Sequence, residues 1–183
     1  MNTRTKTKDM LLCALFTALI AVGTFIKIPI PVVPFTLQFL FTMLAGLLLG
    51  SKNGALSVAL YTLLGLIGLP IFAEGGGLWY ILKPSFGYII GFIIGSYVTG
   101  RMTEKKNNPS FRWILLSNFT GLFIVYAVGM IYYYIICNFV INSPIGVGVL
   151  FLYCFVLAVP GDICLCVLAA LLAKRLKQLL AKI

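Results

Sequence analysis

The chain has 183 residues, of which 61% are hydrophobic and only 10% charged, with a mean hydropathy of +1.08. Soluble domains run at roughly 45–50% apolar and about 25% charged, so this composition excludes a soluble enzyme, a disordered tail and a secreted disulfide scaffold, and leaves an integral membrane protein of one compact domain. The charge is lopsided, 14 Lys and Arg against 4 Asp and Glu for a net +10; in so apolar a chain the placement of basic residues at the cytoplasmic ends of spans matters more than their sum, and nucleic acid need not be invoked.

Spans need about 20 mostly apolar residues, and six candidates follow one another: 10–26, 36–50, 54–72, 85–100, 113–141 and 146–173. The first follows a basic start, as a signal peptide would, but Cys13 lies too close to the terminus for a lipoprotein cleavage site and five more spans follow, so it reads as a retained helix. Its Ala14-Leu-Phe-Thr-Ala18 step, extended by Ala21, is a small-residue face for packing within the bundle or against another subunit. The second and third spans are separated by Ser51-Lys-Asn53, and Gln38 stands near the outer end of the second. In the fourth, Gly87, Gly91 and Gly95 recur every fourth residue, a ridge for close packing inside the molecule. Asn118 and Asn138 are the amides of the fifth. Pro160 interrupts the sixth, removing a backbone hydrogen bond and bending the helix.

With the N-terminus in the cytoplasm, Arg4, Lys6, Lys8, Lys52, Arg101, Lys105, Lys106, Arg112, Lys174, Arg175, Lys177 and Lys182 all fall inside, and only Lys27 and Lys83 fall outside. The asymmetry predicts six transmembrane helices with both termini cytoplasmic.

Absences narrow the chemistry. There is no His, which removes the His-dependent nucleophilic triads and zinc motifs. No GxxxxGK[ST] loop occurs, so the chain cannot hydrolyse ATP alone. Five Cys, an odd number, lie within apolar runs and read as buried small side chains; Cys164 and Cys166 point about 200° apart on a helix, which makes them poor joint ligands. Neither a catalytic residue nor a metal site is expected.

Two places carry polar chemistry outside the basic clusters. The connection after the third span places Glu74, three glycines (Gly75 to Gly77), Trp79, Tyr80 and Lys83 together, either as an interfacial loop with an aromatic belt or as a wall over an outward-facing pocket. The other is Pro160-Gly-Asp162. Asp162 is the only acid within the six spans, and a carboxylate in hydrocarbon faces a cavity or a partner. It is read as accepting ligand N–H groups, the alternative being a structural ion pair with Lys27 or Lys83.

The motifs Ala14-Leu-Phe-Thr-Ala-Leu-Ile-Ala-Val-Gly23, Ile26-Lys-Ile-Pro29, Val33-Pro-Phe-Thr-Leu-Gln38, Gly65-Leu-Ile-Gly-Leu-Pro-Ile-Phe-Ala73, Gly87-Tyr-Ile-Ile-Gly-Phe92 and Pro160-Gly-Asp162, in this order, resemble the biotin-specific substrate-binding (S) subunit of energy-coupling-factor (ECF) transporters. The resemblance implies a six-helix subunit of a prokaryotic cell membrane that captures biotin outside and hands it inward. Its partners would be a transmembrane coupling subunit and two ATP-binding cassette ATPases, which fits the missing nucleotide motif. It also implies that the face of Ala14 and Ala18, with Ala21, docks the coupling subunit. The chain departs from the family at Leu165, where a Lys usually follows the helix-six Asp by one turn; Lys83, beside the Gly-rich loop, is the favoured substitute. Biotin offers a ureido ring and a valerate carboxylate, and the expected ligand-binding set is Asp162, Lys83, Trp79, Tyr88, Gln38, Tyr80 and Glu74, the aromatics packing on its bicyclic core. The competing readings are a stand-alone secondary transporter, an S subunit for thiamine or riboflavin, and an intramembrane enzyme, for which one acid and no His provide too few groups.

Overall fold

The computed structural model describes the backbone of residues 3–28 and 35–180 and the side chains of 7–27 and 35–177. Pro29, Val33 and Pro34 of the motifs, Lys182, and the side chains of Arg4 and Lys6 lie outside the described residues.

The apolar runs form helices α1 (Thr3–Phe25), α2 (Gln38–Leu66), α3 (Phe86–Glu104), α4 (Phe111–Ile135), α5 (Val147–Phe151) and α6 (Val159–Leu180), with a 3-10 turn at Leu78–Leu82. A small antiparallel ribbon pairs β1 (Lys27–Ile28) with β2 (Phe35–Thr36), Lys27 opposite Thr36.

Helix α2 is not a straight rod. Gly50 adopts φ +83°, a conformation that glycine tolerates and other residues resist, and there the chain doubles back. A Cβ on Gly54 would lie 2.7 Å from the Gly46 Cα, whereas eight residues of straight helix span about 12 Å. The segments 36–50 and 54–72 of the sequence reading thus enter the two arms of one broken element, the second arm ending at Leu66. Helix α3 closes on the same point: a Cβ on Gly100 would lie 2.6 Å from the Ser51 nitrogen. Glu104, at the end of α3, accepts hydrogen bonds from the Ser51 backbone N–H at 2.7 Å and its hydroxyl at 2.8 Å, satisfying an orphan donor at the start of the second arm.

The glycine ridge of α3 packs inside the molecule. Cβ atoms on Gly91 and Gly95 would lie 2.9 Å from the Val125 Cα and 3.1 Å from the Gly121 carbonyl oxygen, so α3 and α4 touch nearly backbone to backbone. Helix α6 lies against α2 and α4, and α1 packs on α2. Ile20, Met43, Val58, Tyr61, Ala169 and Ala170 are fully buried between these elements. Four of the Cys are buried as expected, whereas Cys164 is exposed on α6.

Before α6 the winding is irregular: a π turn at Leu152–Val156 and a turn at residues 157–158 precede Val159. Pro160 has no N–H to give the Val156 carbonyl and its ring crowds that group, which accounts for the distortion just upstream of it.

Leu11, Phe123, Ile131, Phe139 and Val147 project from the helices, well exposed, the kind of apolar surface that lipid covers. Among the described residues, four segments can cross a membrane by length and composition: Thr7–Phe25, Gln38–Leu66, Phe111–Val140 and Val147–Lys177. Helix α3 is not among them, and the doubled-back α2 enters as one segment.

The two ends of the bundle differ in charge. The Cys13 thiol reaches the Asn53 carbonyl at 3.5 Å, Ser51 meets Glu104, and Lys177 lies within electrostatic reach of Glu104, which brings Lys52, Arg101 and Lys177 to one end. At the other end the Lys27 ammonium donates to the Ala73 carbonyl at 2.9 Å and that of Lys83 pairs with Glu74 at 2.6 Å.

Burial pushes the Glu104 carboxyl up, but the Ser51 donors and Arg101 outweigh it and hold the group below its ordinary value of 4.5. A depressed folded-state pKa contributes stability that is present above the unfolded value and lost as pH falls through the folded one. Glu104→Gln therefore lowers the thermal midpoint of the detergent-solubilised protein near neutral pH, and the gap from wild type narrows as the pH falls below the ordinary carboxyl value of 4.5 and through the lower folded-state one. A gap that persists unchanged into stronger acid contradicts this role.

Candidate ligand-binding site

At the end of the bundle that carries Lys27 and Lys83, β2, the starts of α2 and α3, the middle of α4 and the segment leading into α6 enclose a cavity of ≈ 70 Å³. Phe35, Phe39, Ile89, Phe92, Val125 and Ala158 make its apolar wall, and Thr36, Gln38, Ser85, Tyr88, Tyr126 and Asp162 contribute polar groups.

Local sequence explains how these groups converge. Pro160 and Gly161 start α6, and Gly161 leaves room for the Phe35 ring, whose Cε2 would lie 2.6 Å from a Cβ there. One helical step on, the half-buried Asp162 turns to the cavity, and its Oδ2 accepts a hydrogen bond of 2.5 Å from the Tyr126 hydroxyl. Among the described residues this is the only side chain bonded to that carboxylate. The Tyr126 ring is held edge-on by Tyr88 at 6.0 Å and by Phe155 at 5.3 Å between centroids. Gln38 is 5% exposed, and its Nε2 has no hydrogen-bond partner among the described residues.

The connection between α2 and α3 is fastened over this end. The Tyr61 hydroxyl lies 3.1 Å from the Thr24 hydroxyl and donates to the Ile71 carbonyl, also at 3.1 Å. The Phe72 ring fills the space left by Gly65 and packs on Tyr61 and Tyr80 at 5.4 and 4.5 Å. Gly77 donates its N–H to the Gly65 carbonyl at 2.7 Å, and the Tyr132 hydroxyl donates to the Ile81 carbonyl.

A family model described as the BioY family matches residues 1–182. The chain belongs to the BioY family. It is 45% identical to a probable biotin transporter BioY of Lysinibacillus sphaericus, over 93% of this chain and 87% of that protein. It is 44% identical to the biotin transporter BioY of Thermotoga maritima, over 94% of this chain and 97% of that protein. In structure it is similar to the crystallised S-component for biotin from an ECF-type ABC transporter, with a TM-score of 0.83 and 31% identity over 97% of this chain and 95% of that one.

Within this BioY-family chain the residues singled out from sequence separate into groups. Asp162, Gln38 and Tyr88 come together on the cavity wall. Lys83 and Glu74 pair with each other, 40% and 47% exposed in their side chains, and neither lines the cavity. Tyr80 is buried behind the wall between Phe72 and Phe86. Trp79 is 83% exposed on the outer face of the 3-10 turn. Ala14, Ala18 and Ala21 line an apolar groove with Leu60, Leu64 and Ile71, between α1 and the second arm of α2. The ion pair considered for Asp162 is not formed with either lysine, since Lys27 and Lys83 bind elsewhere, and Leu165 one turn along is buried and apolar.

Sequence reasoning missed Tyr126, Thr36 and Ser85 as cavity groups. Thr36 lies inside a motif already noted, so its place beside Gln38 was the available signal. Tyr126 gave none: an aromatic in the middle of an apolar helix reads as core, and its partner is 36 positions away.

Proposed function

We propose that this chain is the biotin-binding specificity subunit of an ATP-driven importer of the ECF type. It captures biotin in the cavity between β2, α3, α4 and α6 and passes it inward with the help of partner subunits. The observation that carries the reading is the near-full-length match to the S-component for biotin, and the named biotin transporters among its relatives support it.

The cavity's chemistry suits the ligand. A ureido ring needs an acceptor for its N–H groups and a donor for its carbonyl; Asp162 is the acceptor, and the Gln38 amide, whose Nε2 has no hydrogen-bond partner among the described residues, is a donor. Phe35, Phe92 and Tyr88 pack on the bicyclic core. The valerate carboxylate points to the rim, where Lys27 holds the carbonyl of the cavity residue Ala73 and Lys83 stands two residues from Ser85, with Glu74 as its counter-ion until the ligand arrives. Trp79 anchors this end at the membrane surface and Tyr80 supports the wall from behind. At ≈ 70 Å³ the cavity is well under the ~300–1,000 Å³ of ordinary ligand clefts, so biotin enters as the walls part.

The chain crosses the cell membrane of a prokaryote six times, the two arms of α2 counting separately and α3 included, with both termini cytoplasmic. The reading is supported by the grouping of basic residues at the end opposite the cavity. The groove of Ala14, Ala18 and Ala21 receives the transmembrane coupling subunit, and a pair of ATP-binding cassette ATPases supplies the energy.

Asp162→Asn weakens biotin binding at least tenfold in a titration of the purified protein while leaving its thermal midpoint nearly unchanged, since it removes the charge that strengthens a hydrogen bond. An unchanged affinity takes Asp162 out of the site. Ala18→Trp fills the α1 groove, so it spares biotin binding and abolishes uptake in cells that supply the partners. Undiminished uptake refutes the interface.

A further inference from the structure

The Asp162 carboxylate has an unusual arrangement for a charged group in an apolar bundle. Neither outer lysine reaches it: the Lys83 ammonium is 2.6 Å from Glu74 and that of Lys27 is 2.9 Å from the Ala73 carbonyl. The position one turn along α6 is Leu165, 7% exposed. What meets the carboxylate is a phenol, the Tyr126 hydroxyl, at 2.5 Å from Oδ2, within the range of a charge-assisted O–H···O bond.

That phenol is itself fixed. Tyr126 is 3% exposed, and its ring is braced edge-on by Tyr88 at 88° and by Phe155 at 77°. Tyr88 in turn lies against Gly129 of α4, where a Cβ would come within 2.6 Å of its ring, and Phe155 stacks on Phe151 at 4.9 Å. A tyrosine so clamped can present its hydroxyl in one place only. An aspartate, by contrast, turns broadly about its terminal torsion, so a single fixed donor on one oxygen decides where the other points.

We propose that Tyr126 is the positioning residue for the ligand-binding carboxylate: it pins Oδ2 of Asp162 and thereby holds the second oxygen toward the cavity as the acceptor for a ligand N–H, in a site with no cation beside the acid among the described residues. The assignment rests on the biotin-binding reading. Tyr126 acts through Asp162, and its donor does for the carboxylate what an ammonium would do by charge. The hydroxyl also leaves the acid one oxygen without a protein donor, which favours a ligand that presents a directed N–H over one that presents only apolar surface.

Three proteins compared by biotin titration test it: wild type, Tyr126→Phe, and Tyr126→Phe combined with Leu165→Lys. Loss of the hydroxyl alone weakens biotin binding about 10- to 100-fold. A lysine at 165 sits one turn from Asp162 on the same face of α6 and restrains the same carboxylate, so the double variant recovers at least about tenfold; a hydroxyl that only supported the core, or that touched biotin itself, would not be replaced in this way. If Tyr126→Phe does not fold, Phe155→Leu removes one brace and keeps the hydroxyl, and the expected loss is several-fold. Wild-type affinity in Tyr126→Phe, no recovery in the double variant, or wild-type affinity in Phe155→Leu where that variant stands in, overturns the assignment while leaving the biotin reading in place. A wild-type chain that fails to bind biotin overturns both.

Discussion

Asp162 stands in a wall made mostly of carbon, and the bond it accepts from Tyr126 joins α4 to the start of α6 at the cavity. An uncompensated charge there would be expelled or neutralised. Much of the surrounding structure serves to keep that contact in place: the close α3–α4 packing at Gly91 and Gly95 sets the distance from which Tyr88 braces Tyr126, and the break before Pro160 sets the angle at which α6 brings in the acid. Phe35, lying over Gly161, packs against the start of the same helix.

The two ends of the bundle divide the work. At the basic end, Glu104 holds the α2 reversal through Ser51, and close glycine contacts at residues 46, 54 and 100 leave little freedom. At the cavity end, the connection after α2 is fastened by side chains that bridge several elements: Tyr61 to Ile71, Lys27 to Ala73, Tyr132 to Ile81. These few polar bonds sit on a scaffold whose arms are set by glycine packing, and they are the ones that must yield if the small cavity is to widen around a ligand.

Much of the helical order was legible in the sequence because apolar runs of membrane length are long and punctuated by charge. The grouping of basic residues at one end was legible for the same reason. Gly50 as the point of reversal was only half visible: the polar Ser51-Lys-Asn53 step marks a boundary, but a left-handed glycine has no periodic signature. At the site, Asp162 could be picked out by rarity, and Gln38 and Tyr88 by the motifs that hold them. The loop set of Glu74, Trp79, Tyr80 and Lys83 could not be sorted from sequence, since charge and aromatic content look the same on a rim, on a surface and behind a wall. Burial separates them, placing Tyr80 inside and Trp79 outside.

On the proposed reading, an acid, an amide and an aromatic wall at one end of an apolar bundle form a selective site for a ureido-bearing vitamin. That selectivity is read out by an equilibrium titration of the purified wild-type chain against biotin, thiamine and riboflavin in parallel. Saturable binding of biotin at one site, with thiamine and riboflavin showing no saturation at the same concentrations, is the predicted result. Tighter binding of thiamine or riboflavin, or no saturable binding of biotin, would contradict it.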